Sequence, residues 1–236
     1  LGALKVLAEK ATDVAVLKDA GLTATSLCGK EELRLPFVEF QGLDVLVALA
    51  QCPEEELQAQ AGSALEMLTL NEASMKSILD LPHGLVALNA LAKSTSEIVL
   101  STCVQALSNL STSSMCIRIS IDGGLSVLST LWLHGIPRIC DQILVILQRV
   151  CCDGENLVAF IGGNGISLLE TLIYDDCGPS ANDEQHTMDS KMSSQEFAVN
   201  VLLRCSADVS LAVNLLSEQV LSLFHYLIAN AADNTM

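Results

Sequence analysis

Residues 124–131, Gly124-Leu125-Ser126-Val127-Leu128-Ser129-Thr130-Leu131, set a glycine ahead of leucines at +1, +4 and +7. That spacing lays the three leucines along one face of a helix and puts the glycine at its start. The pattern recurs at three other places. Gly42 is followed by Leu43, Leu46 and Leu49, Gly84 by Leu85, Leu88 and Leu91, and Gly165 by Ile166, Leu169 and Leu172. The four glycines are 42, 40 and 41 residues apart. A period in this range marks stacked helical units, none of which can bury its apolar face alone.

A second helix lies farther along each unit. Leu65, Leu107 and Leu147 stand 23 residues after the first three glycines, with Leu68, Leu110 and Val150 three residues later. In the fourth unit the equivalent pair is Leu202 and Cys205, 37 residues after Gly165, which implies 14 inserted residues. Val220 then replaces the next glycine, with Leu221, Phe224 and Leu227 at +1, +4 and +7; its distance of 55 from Gly165 returns to 41 once the 14 are removed. The insertion is visible in composition as an acidic stretch near 175–194 that is poor in aliphatic residues, and it is expected to be a loop.

The expected organisation is therefore a degenerate or truncated unit over 1–41, then units over 42–83, 84–123, 124–164 and 165–219, and a further start or cap over 220–236. In the first of these, Leu4, Val6, Leu7, Val14, Val16 and Leu17 have helical character, and Leu22 to Cys28 is expected to hold the second helix. The chain begins Leu1-Gly2 without methionine, so a larger parent chain is expected.

Composition narrows the function. Half of the 236 residues are apolar and 17% are charged, with 12 basic and 28 acidic side chains for a net charge of −16. The apolar share is too large for a disordered chain. The negative charge disfavours nucleic acid, whose affinity comes largely from Lys and Arg on phosphates. Aromatic residues make up only 3%, which favours packed helices over sheets. The longest uncharged stretch, Ile98 to Ile117, is broken by serine, threonine, asparagine and glutamine, so no membrane insertion is expected. Nine cysteines without a CxxC pair argue against a disulfide framework or a zinc site. They fit a reducing intracellular compartment, cytoplasmic or nuclear.

Gly42-Leu43-Asp44-Val45-Leu46-Val47-Ala48-Leu49 and Gly123-Gly124-Leu125-Ser126-Val127-Leu128 resemble the opening of an armadillo repeat, and Ala106-Leu107-Ser108-Asn109-Leu110 resembles the core of its third helix. The resemblance implies an all-α fold, a right-handed α-solenoid of about five armadillo-like repeats. It also implies that the long third helices line a concave groove. Positions two residues after the core leucine then face the groove: Met67, Asn109, Arg149 and Arg204. One turn back stand Ser63, Gln105, Val145 and Asn200, and another turn back Gln60, Thr102, Gln142 and Phe197.

Gln105, Asn109, Gln142 and Asn200 carry amides that can hydrogen-bond an extended peptide, while Arg149 and Arg204 can take a carboxylate or phosphate. The expected partner is a protein or peptide, acidic or phosphorylated sequences included. Importin-like arrays place a Trp four residues before each ladder Asn, where this chain has Ser63, Gln105, Val145 and Asn200. Nuclear-import cargo is therefore not expected, and Trp132 is expected to pack between helices.

No catalytic pattern emerges. His83, His134, His186 and His225 share no metal-ligand spacing, Cys151-Cys152 has no visible base, and Gly162-Gly163-Asn164-Gly165 lacks the Lys-Ser/Thr of a phosphate loop. That glycine cluster is expected to end one helix and permit the turn into the next. The sequence thus predicts a non-enzymatic scaffold or adaptor without cofactor or metal. The alternative is a purely architectural segment of a larger complex.

Overall fold

In the computed structural model, residues 14–81, 84–111, 119, 123–152, 154–174, 194–212 and 220–226 are described. Thirteen helices stand among them: α1 (Val14–Cys28), α2 (Glu31–Glu39), α3 (Gly42–Ala50), α4 (Glu55–Leu68), α5 (Glu72–Asp80), α6 (Val86–Leu91), α7 (Glu97–Leu110), α8 (Gly124–Trp132), α9 (Pro137–Val150), α10 (Gly154–Gly162), α11 (Gly165–Tyr174), α12 (Ser194–Ala207) and α13 (Val209–Ala212). Residues 220–226 are also helical. The order is a repeated triplet of two short helices and a long one. The long helices α1, α4, α7, α9 and α12 pack side by side in chain order, and the middle helices α3, α6, α8 and α11 form a second row.

Local chemistry fixes where the helices begin. Asn71 caps α5 by accepting the Ser74 N–H at 3.0 Å, and Pro137 opens α9, where its missing N–H costs nothing. Glutamates fill the first turns of α2, α4, α5 and α7, where carboxylates favour the helix dipole.

The recurring glycine stands at the start of its helix at Gly42, Gly124 and Gly165, as the spacing predicts, and has a second task there. Gly42, Gly124 and Gly165 are each the first residue of a middle helix, and the left-handed residue is the one before: Gln41 (φ 62°), Gly123 (φ 91°) and Asn164 (φ 77°). What the glycine supplies is a missing side chain. A Cβ on Gly42 would lie 2.4 Å from both the ring and the carbonyl oxygen of Phe37, and one on Gly165 would lie 2.5 Å from the same atoms of Phe160. The end of each first helix thus presses on the start of the second. Where both are described in the fourth unit, α10 and α11 meet at 82°.

One continuous apolar core runs from Leu17 to Leu223, built from the leucine rows the period defines and filled by buried Cys28, Cys103, Cys140, Cys151 and Cys205. Trp132 lies within it, 1% exposed. The N-terminal region differs from expectation. Val14–Cys28 is a single long helix, not two, because Gly21 sits inside it at the contact with Gln60 of α4. Residues 1–13, and the acidic insertion up to residue 193, lie outside the described residues.

Candidate functional site

The long helices carry the rows of residues expected to bind, and they fall into three groups. At the C-terminal ends the rows join one repeat to the next. Asn109 Nδ2 donates to Thr69 Oγ1 at 3.1 Å, and Asn109 Oδ1 accepts from Gln105 Nε2 at 3.2 Å. Arg149 Nη1 donates to the Ser108 carbonyl at 3.2 Å and to the hydroxyls of Ser108 and Ser111 at 3.3 Å. Arg204 donates from Nη1 to the Cys151 carbonyl and from Nη2 to the Cys152 carbonyl at 3.0 Å.

The links from Asn109, Arg149 and Arg204 to neighbouring repeats end on the last turn of the preceding long helix or on the one or two residues that follow it. The guanidinium groups expected to receive a carboxylate are thus placed on main-chain and hydroxyl oxygens. On the other row, His134 Nε2 donates to the Ala92 carbonyl at 2.8 Å, which gives that histidine a structural partner one repeat away.

The middle of the ladder is open. Between α7 and α9 lies a depression of about 490 Å³ in which Gln105 and Gln142 both take part. α7 also supplies Ser101 and Thr102, α9 supplies Arg138, Ile139 and Asp141, and α4 reaches in with Glu66. Glu66, Ser101, Arg138 and Asp141 were not anticipated. Arg138 lies one further turn along the row that holds Gln142, so extending the row would have reached it; Ser101 and Asp141 adjoin row members. About one turn along the same helices from lining residues, Ile98 is 66% exposed on α7 and Val145 is 44% exposed on α9.

The third group is the far end of the ladder. Asn200 is exposed on α12 but does not line the depression. Phe197 does not face a groove at all: it is 3% exposed and belongs to the core, because the first turn of α12 rolls its aromatic inward.

Three of the described thiols are held in the protonated form by burial. Burial pushes the Cys28 thiol up to about 12, raises Cys205 to about 11 and moves Cys103 further upward still, so these groups stay protonated at neutral pH. Cys152 is exposed, and its sulfur accepts from Asn156 Nδ2 at 3.6 Å. Among the described residues no group of three His, Cys, Asp or Glu side chains could hold a metal ion. No single helix among them is long and apolar enough to cross a membrane.

Triplets of helices, a ladder of long third helices and a glycine at each first-to-second helix contact define an armadillo-type α-solenoid. Solved structures agree. The chain is similar to an engineered protein at TM-score 0.57 and 19% identity, over 99% of this chain and 98% of that one. It is also similar to a designed armadillo repeat protein at TM-score 0.54 and 16% identity, over 96% and 98%. A third is a designed armadillo repeat protein in complex with peptide (KR)4, at TM-score 0.55 and 19% identity over 94% and 99%. No protein-family model matches the sequence, and no curated protein matches it.

Proposed function

We propose that this chain is a non-catalytic protein interaction module, a scaffold or adaptor that holds an extended peptide across its long-helix ladder. The observation that carries the reading is the depression in which Gln105 and Gln142, from neighbouring repeats, present primary amides to the same space. An amide both donates and accepts, so it can pair with a peptide's main chain whatever its sequence. Side chains of the bound segment would then be sorted by the exposed Ile98 and Val145 and by the charges at the rim. A designed armadillo repeat protein of similar fold is in complex with a peptide, which supports peptide binding by a scaffold of this kind. The free, mostly buried cysteines suit a reducing intracellular compartment.

For acidic or phosphorylated partners, the cation best placed in the depression is Arg138, since Arg149 and Arg204 are held on neighbouring-repeat oxygens. Display of a random peptide library on the 236-residue chain tests the proposal. Enrichment of extended sequences that disappears with the Gln105→Ala, Gln142→Ala double variant is expected. A library that yields no enrichment, or enrichment indifferent to the double variant, would leave the architectural reading in its place.

A further inference from the structure

The depression carries opposite charges on opposite banks. Glu66 enters from α4, Arg138 from the first turn of α9, and α7 lies between them as the floor with Ser101, Thr102 and Gln105. Among the described residues neither Glu66 nor Arg138 has a side-chain hydrogen bond or ion-pair partner, whereas the neighbouring Asp141 has an interaction of its own. The other long-helix cations among the described residues are committed: Lys18 pairs with Glu56 across α1 and α4, and Arg149 and Arg204 bind neighbouring repeats. An unpaired carboxylate and an unpaired guanidinium therefore face one space whose 490 Å³ correspond to a sphere roughly 10 Å across. Long side chains from a guest can reach both.

Resting on the peptide-binding reading above, we infer that the depression selects a dipolar segment: an extended peptide with an acidic and a basic side chain two residues apart. The acid lies toward Arg138 and the base toward Glu66. An extended chain puts residues i and i+2 on one face, about 6.8 Å apart, whereas i and i+1 point to opposite faces. Only the first spacing presents both charges to the two banks at once. The Gln105 and Gln142 amides, bound to the main chain, fix which way the segment runs and so make the order of the two charges matter. Exposed ion pairs are individually weak, so each is expected to change affinity by about threefold and the two together by about tenfold.

The test titrates isotope-labelled 236-residue chain with Thr-rich peptides of about ten residues, read by nuclear magnetic resonance at the backbone amides of α7 and α9, which every variant retains; threonine favours the extended form. Four probes are used: Asp and Arg two positions apart, the same pair in reverse order, the pair on adjacent residues, and an Asn/Gln version without charge. One order at the two-residue spacing should bind about tenfold more tightly than the uncharged probe and the adjacent pair. The Glu66→Arg, Arg138→Glu double variant, checked for helicity by circular dichroism, should prefer the reverse order. Equal affinity for charged and uncharged probes, with binding still lost in Gln105→Ala, Gln142→Ala, overturns the charge selection and leaves the groove standing. An order preference that survives the charge swap also overturns it. Absence of binding by every probe overturns the selection, and the groove itself falls if the random library is also empty.

Discussion

Replacing Gly42 with alanine should destabilise the chain even though alanine is the better helix former. Gly42 is the first residue of α3, and exchanging glycine for alanine inside a helix is worth about 1 kcal/mol in the helix's favour. Against this stands a contact that cannot yield easily. The new Cβ would meet the Phe37 ring and the Phe37 carbonyl oxygen at 2.4 Å, and the carbonyl belongs to the end of α2. Overpacking of this kind costs about 1–3 kcal/mol. Because a main-chain atom is in the way the upper end applies, and the net loss is about 2 kcal/mol.

With a urea slope of about 2 kcal/mol per molar, the midpoint should fall by about 1 M. Gly154→Ala is the control, since nothing lies within 4 Å of its added Cβ; it should raise the midpoint slightly, by about 0.5 kcal/mol of added stability. Urea titration followed by helical circular dichroism reads both. If Gly42→Ala tracks Gly154→Ala upward, the close approach of first and second helices is not what selects glycine at the repeat position. The same experiment on Gly165, whose Cβ would lie 2.5 Å from Phe160, should repeat the Gly42 result.

Other outcomes follow from the packing. Asn109→Ala removes the link to Thr69 and should cost about 1 kcal/mol in urea titration, with little effect expected from the exposed Gln142→Ala. Trp132 is the sole tryptophan and is buried, so its emission should be blue in the native state and shift red on unfolding; Trp132→Ala should lose about 3–5 kcal/mol. The Cys28 thiol is raised by burial from 9.0 to about 12, so above pH 9 the unfolded chain releases a proton that the native chain keeps. Stability should therefore be unaffected by this group below pH 9 and fall as pH rises from 9 toward 12, and Cys28→Ala should flatten that decline in urea titrations run across the range.

The leucine rows and the 41-residue spacing were legible because each repeat solves one packing problem in one way, so Leu46, Leu88, Leu128 and Leu169 report a shared face before any coordinate is known. The role of the glycine was only half legible. Sequence shows that Gly165 recurs; it does not show Phe160 pressed against it, because that contact depends on the angle between α10 and α11. Val14–Cys28 is continuous where the sequence predicts a second helix from Leu22, and Gly21 within it is the gap that Gln60 enters.

In the candidate site, Gln105 and Gln142 were found by their row. Arg149 and Arg204 were found too, but the sequence could not show that their partners are oxygens 41 and 53 residues earlier. Glu66 was not reached because it stands one residue off the row that holds Met67 and joins the depression from a neighbouring repeat.

Arg204 ties the last turn of α12 back to the cap of α9 in the manner of Arg149, although the chain travels 53 residues to make that link instead of 41. Contour length between Tyr174 and Ser194 is thereby decoupled from the pitch of the stack. The stack therefore behaves like a ruler whose marks are joints between helices rather than residues: Arg149 and Arg204 mark the same joint at different distances along the sequence.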